Sequence, residues 1–120
     1  MVAIRVRGGS LPWVASSGGK GLRSLTVRLD RHGQRERTYT VRLHFLEPDR
    51  LKRGERVFDV ALQGRRVLER LDIVREAGGA DRALVKEFRG VRVAGELIVT
   101  LSPAAGEAIL SGVEVIAEGW

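Results

Sequence analysis

Between Thr38 and Glu47 the chain reads TYTVRLHFLE, and every second residue is apolar. Tyr39, Val41, Leu43 and Phe45 share one side of an extended backbone, while Thr38, Thr40, Arg42 and His44 share the other. A period of two is that of a half-buried strand. The same period recurs along the chain. LRSLTVRLD sets Leu25, Val27 and Leu29 against Arg23, Thr26 and Arg28 for the most part, RVFDVALQ groups Phe58, Val60 and Leu62, and GELIVTLSP groups Leu97, Val99 and Leu101. ALVKEFRGVRV reads as a strand interrupted near Gly90, and AILSGVEVIAE closes the chain as another. RRVLERLDIV admits a short helix or a strand; extended structure with a turn at Glu69-Arg70 is the expectation.

The connections carry turn chemistry. RHGQRER, EPDRLKRGE with Pro48 and Gly54, Gly64, REAGGADR and SPAAGE are read as turns or loops. No stretch sustains a helical stripe over three turns. Six to eight short strands separated by such signals predict an all-β fold, a sandwich or barrel. Residues 7–21, RGGSLPWVASSGGKG, hold five Gly, three Ser and one Pro around a single large apolar residue, Trp13, and are expected to form a flexible loop. Residues 1–21 are therefore expected to be a largely flexible N-terminal segment of one domain spanning residues 1–120.

At 120 residues with 43% hydrophobic content, a core without staples is within reach. There is no Cys, which excludes disulfides, thiolate metal sites and a thiol nucleophile. There is no Asn either, so no N-glycosylation sequon exists. MVAIRVRGGS is too short and too charged for a signal peptide, and no apolar run is long enough to span a membrane. The net charge of +6 comes from 18 Arg and 3 Lys against 15 acids. The arginines are scattered, Arg65-Arg66 being the one adjacent pair, and six aromatic residues leave little for base stacking, which argues against nucleic acid as the partner.

Candidate chemistry is sparse. The two histidines, His32 in a polar turn and His44 on the Thr38–Glu47 strand, form no recognisable metal or triad spacing. GGKG lacks the Ser or Thr and the upstream Gly of a phosphate loop. Asp59 and Asp72 read as acceptors for turn amides or as arginine partners. No catalytic residue, metal or cofactor is expected.

Three segments in order carry a resemblance: Tyr39, Val41, Leu43, Phe45 and Glu47; then Phe58-Asp59-Val60, Gly64, Leu71-Asp72-Ile73 and Ala77 to Gly79; then a final strand ending Val113-Glu114-Val115. Over residues 37–116 this set resembles the malectin and malectin-like domain family. The resemblance implies a jelly-roll-like antiparallel β-sandwich that binds carbohydrate without cleaving it, through loops at one end, as an extracytoplasmic part of a larger bacterial-type protein. In malectin itself the sugar site uses aromatics in the loops before and after the Tyr-x-Val-x-Leu-x-Phe strand, with an acid near the last strand. Here Asp49 and Arg50 stand in the post-strand loop, Trp13 in the earlier one and Glu107 near the last strand.

The candidate glycan-binding residues are accordingly Trp13, Arg42, His44, Glu47, Asp49, Arg50 and Glu107. Each has a structural alternative: Trp13 as a plug over the open end of the sandwich, the loop charges as an ion pair, and Arg42 and His44 as a face that meets water. Trp120 is read as covering a core edge or lying loose. Two other functions stay open. One is a protein-interaction or spacer domain, including a homo-oligomer paired through an exposed edge strand; the other is an arginine-mediated polyanion binder.

Overall fold

A computed structural model describes residues 3–7, 23–29 and 36–118, with the side chains of 3, 6 and 7 left aside. Eight strands and one short helix follow in order: β1 (Ala3–Arg7), β2 (Ser24–Arg28), β3 (Glu36–Phe45), β4 (Val57–Leu62), β5 (Arg65–Leu71), α1 (Ile73–Ala77), β6 (Leu84–Ala94), β7 (Glu96–Ala105) and β8 (Gly112–Ala117). They form two four-stranded sheets, ordered β1-β8-β3-β6 and β2-β7-β4-β5. The pairing is antiparallel throughout except for β1 beside β8, which is parallel. The expected all-β, jelly-roll-like sandwich is the observed architecture.

Alternation along the strands sets the core. Tyr39, Val41, Leu43 and Phe45 are at most 4% exposed, and so are Leu25 and Val27 of β2, Leu97, Val99 and Leu101 of β7, and Phe58, Val60 and Leu62 of β4. Phe45 and Phe58 meet between the sheets with ring centroids 5.9 Å apart and planes tilted by 53°, an arrangement suited to the quadrupoles of the two rings. Burying such side chains stabilises by roughly 1.5–3 kcal/mol each.

The turns explain the register. Gln63 and Gly64 both have positive φ (53° and 78°), as the central pair of a two-residue type I′ hairpin requires. Gln63 then continues the ladder with its side chain, donating to Glu96 O (3.0 Å) and accepting from Ile98 N (2.6 Å). Gly90, at φ 68°, sits where the β3–β6 register shifts between Tyr39 and Val41. That is a bulge, and it accounts for the expected interruption without ending the strand.

Two boundaries differ from expectation. Ile73–Ala77 is a helical turn where an extended segment running into a loop at Arg75 was expected: Asp72 caps it by accepting from Arg75 N (3.2 Å), and Gly78 in the left-handed region closes it onto Val74 O. A single turn has no room for the repeating stripe sought in the sequence. The Ser102–Ala105 stretch extends β7 instead of forming a loop; Pro103 is accommodated opposite Phe58, next to a register shift at Val57/Phe58. The 65–71 stretch agrees with expectation: it is a strand, with Arg70 at positive φ where the turn was expected. Trp13, His32 and Trp120 lie outside the described residues.

Candidate functional site

At the end of the sandwich where β3 runs into the Leu46–Glu55 connection, the chain passes three acids close to one arginine. Arg56 is 5% exposed and Glu47 is fully buried. The guanidinium donates Nε to Glu47 Oε1 (2.6 Å), Nη1 to the Glu107 carbonyl (2.7 Å) and Nη2 to Asp49 Oδ2 (2.9 Å). Glu47 Oε2 accepts from Asp49 N (3.0 Å), and the Glu47 carbonyl accepts from Asp81 N (2.9 Å). Asp72 adds a second tie, its Oδ2 accepting from Gly54 N (2.7 Å). The planar fork is thus matched to fixed oxygens at each of its three nitrogens, the geometry in which arginine differs most from lysine.

This cluster brings together Glu47, Asp49 and Glu107 of the sequence-derived candidates. Only the Glu47 carboxylate is turned inward, where internal donors consume it; Asp49 accepts from Arg56 while staying exposed, and Glu107 contributes its backbone carbonyl while its side chain stays exposed. Arg50 projects away, its side chain 86% exposed and 3.9 Å from Asp81. The organising residue, Arg56, was not singled out by sequence. Nothing in RVFDV separates a buried arginine from the other seventeen.

Arg42 and His44 stand elsewhere, on the outward face of β3, the strand between β8 and β6. Arg42 Nε donates to Glu87 Oε1 on β6 (2.7 Å), directly across the register, and His44 Nε2 donates to Glu114 Oε1 on β8 (2.7 Å). An ionised carboxylate only accepts, so Nε2 is the protonated nitrogen. Thr40 Oγ1 donates to Glu118 Oε2 (2.8 Å), and Gly90 N donates to the same oxygen (2.8 Å).

The charges are tuned accordingly. The hydrogen bonds from Arg42 and then Arg89 hold the Glu87 carboxyl below its ordinary range, and the Gly90 amide followed by the Thr40 hydroxyl does the same for Glu118. The bond to Glu87 raises Arg42 in turn. A shallow depression of about 470 Å³ lies over this face, bordered by Thr40, Arg42, Glu87, Arg89, Ile116 and Glu118. The acids Glu87, Glu114 and Glu118 were missed at the sequence level. The outward parity of Glu87 in VKEF and of Glu114 in VEV is readable, but which strands flank β3 is not.

Comparison with known proteins places this geometry. Residues 26–114 match the family described as the Malectin domain. The chain belongs to that family. The match begins at Thr26 in β2, eleven residues before the expected start, and ends within β8. Receptor-like protein 4 of Arabidopsis thaliana is 42% identical over 95 residues, 76% of this chain and 15% of that protein.

Among solved structures, the β-glucuronidase of Bacteroides uniformis superposes with a TM-score of 0.70 at 19% identity, covering 83% of this chain and 11% of the enzyme. The ANX2 ectodomain of Arabidopsis thaliana gives 0.60 at 18%, covering 79% and 30%. At such identities the malectin-domain chain shares a fold with both and nothing more is implied. It spans a small part of each relative's length. The sequence relative is a plant protein, so the comparison gives no support to the expected bacterial origin. Among the described residues no helix is long and apolar enough to cross a membrane.

Proposed function

We propose that this malectin domain is a non-catalytic carbohydrate-binding part of a larger, extracytoplasmic protein, and that it holds a glycan on the outward face of β8, β3 and β6. The observation that carries the reading is the set of fixed polar groups around the 470 Å³ depression. Arg42, Glu87, Thr40 and Glu118 offer donors and acceptors already oriented by one another, and Ile116 supplies an apolar surface between them. A pyranose needs that combination: vicinal hydroxyls that donate and accept, and a C–H face that prefers apolar contact. Preorganisation matters here because a weak ligand cannot offset the ordering of loose side chains.

Family membership supports the carbohydrate-binding part of this reading, and the proposed site is centred on the sheet rather than the loop end because Glu47 and Arg56 are committed to each other. Arg50 and the Glu107 side chain, both exposed at the loop end, are available to a longer ligand.

The test is a glycan array on the intact chain followed by calorimetry. The reading expects saturable binding that 0.5 M salt leaves nearly unchanged. Arg42→Ala should weaken it roughly 10-fold or more, the loss of a charge-assisted hydrogen bond. A chain that binds no glycan, or binds one equally well as Arg42→Ala and Glu118→Ala, overturns it.

A further inference from the structure

The two sheets leave a gap along one side of the sandwich, between the terminal strand of each: β5 on one sheet and β6 on the other. α1 fills one end of that gap, with Glu76 on the helix paired to Lys86 of β6 (2.6 Å). Gln63 stands at the opposite end, where its side-chain amide reaches from the β4–β5 turn across to Arg92 O of β6 (3.4 Å). Between these stoppers lies a cleft of about 860 Å³ that runs along β6 from Glu87 to Arg92. Its floor is apolar, made of Leu62, Val67, Phe88 and Val91, and its rim carries Arg65, Arg89 and Arg92.

The rim is not neutralised. Arg65 and Arg92 make no ion pair among the described residues, and Arg89 shares the carboxylate of Glu87 with Arg42. β5 holds three arginines to one glutamate, and β6 holds two arginines and a lysine to one glutamate. Two copies of this chain brought edge to edge would set these excess cations against each other, so a second copy fits poorly. A terminal strand presents every other amide and carbonyl outward, ready for another strand. Six residues of β6 border the cleft. The bulge at Gly90 interrupts the ladder there, and Gly90 N and Arg92 O are already bonded to Glu118 and Gln63, so the edge open to pairing is the stretch from Glu87 to Arg89.

We propose that this cleft receives an extended, acidic segment of a partner protein. Laid along β6, the segment takes the free backbone groups of the edge, turns alternate apolar side chains onto Phe88 and Val91, and sets its carboxylates against Arg65, Arg89 and Arg92. Main-chain pairing supplies affinity and the arginine rim supplies the sign of charge that is accepted. The proposal uses the edge of β6 where glycan binding uses the outer face, and the two meet at Glu87 and Arg89, which border both.

A fluorescein-labelled octapeptide alternating Glu and Val tests it, with Lys/Val and centrally proline-substituted versions as comparisons. Fluorescence polarisation and amide chemical shifts are the readouts, and the probes are offered to the whole chain. The acidic peptide should bind saturably and more weakly as salt rises, with shifts confined to β5, β6 and the Gln63–Gly64 turn. The double variant Arg65→Glu/Arg92→Glu, both side chains exposed, should lose about tenfold or more in affinity. The Lys/Val peptide should not bind, and proline should weaken the complex because it removes a ladder donor.

Absence of saturable binding overturns the proposal. So does binding that the double variant leaves intact, or shifts that map to Thr40, Arg42 and Glu118. A dimer that forms through β5 or β6 at working concentration overturns it in favour of self-pairing.

Discussion

Arg56 commits its guanidinium to Glu47, Asp49 and the Glu107 carbonyl inside the fold, so its contribution is set by what its removal leaves behind. Arg56→Ala strands a fully buried carboxylate, and removing one partner of such a pair costs about 3–5 kcal/mol. Equilibrium urea unfolding should show that loss. Glu47→Leu with Arg56→Met should recover much of it, because an apolar pair of similar volume leaves no orphaned charge. Glu87 and Glu118 behave differently, since they lie at the surface and their folded-state carboxyls titrate below the ordinary 4.5. A lowered folded value means a contribution present in full above pH 4.5 and lost as pH falls through the lowered value. Carboxyl NMR titration should place both transitions below 4.5, and Glu118→Gln should flatten the acid limb of the stability curve. At this scale the sequence showed which residues point outward, since parity along VRLH settles Arg42 and His44. It did not show partners, because Glu87 and Glu114 lie 45 and 70 residues away from theirs.

Among the elements, the β7–β8 connection passes close against the backbone at Glu55. A Cβ at Gly106 would come within 2.6 Å of Glu55 O, and φ there is 66°, so both sterics and conformation demand glycine. Gly106→Ala should cost roughly 1–3 kcal/mol, more than Gly54→Ala, where φ is also positive but no atom lies within 4 Å. Thermal melting of the two variants side by side checks the order. Strands whose inner residues alternate strictly, β3, β4 and β7 up to Leu101, were legible because period two survives any tertiary context that buries one face. The failures share a cause. α1 is one turn long, and Pro103 hides the end of β7 behind a loop signal. In each, a long-range contact overrides a local cue.

For the molecule as a whole, the parallel β1–β8 pair decides how the first sheet ends. Ala3 lies opposite Gly112 and Arg7 opposite Ile116, so β1 covers the side of β8 that β3 does not. Deleting residues 1–7 uncovers that edge and removes Ile4 from the core. The shortened chain should unfold at lower denaturant and form concentration-dependent oligomers in sedimentation analysis, as a bare edge strand invites. The sandwich was foreseeable from strand count and turn spacing, whereas this pairing was not: residues 1–21 were expected to be largely flexible, yet Ala3–Arg7 form β1, and nothing in AIRVR names a partner near the far end of the chain. The same pair fixes a mechanical property. Because the two strands run in one direction, tension applied at Ala3 and at Ala117 pulls them past each other lengthwise, and all five register pairs must slip together before either strand comes free. A hairpin tugged at its open end would instead unzip rung by rung. Built this way, the domain is a stiff link when its ends are drawn apart.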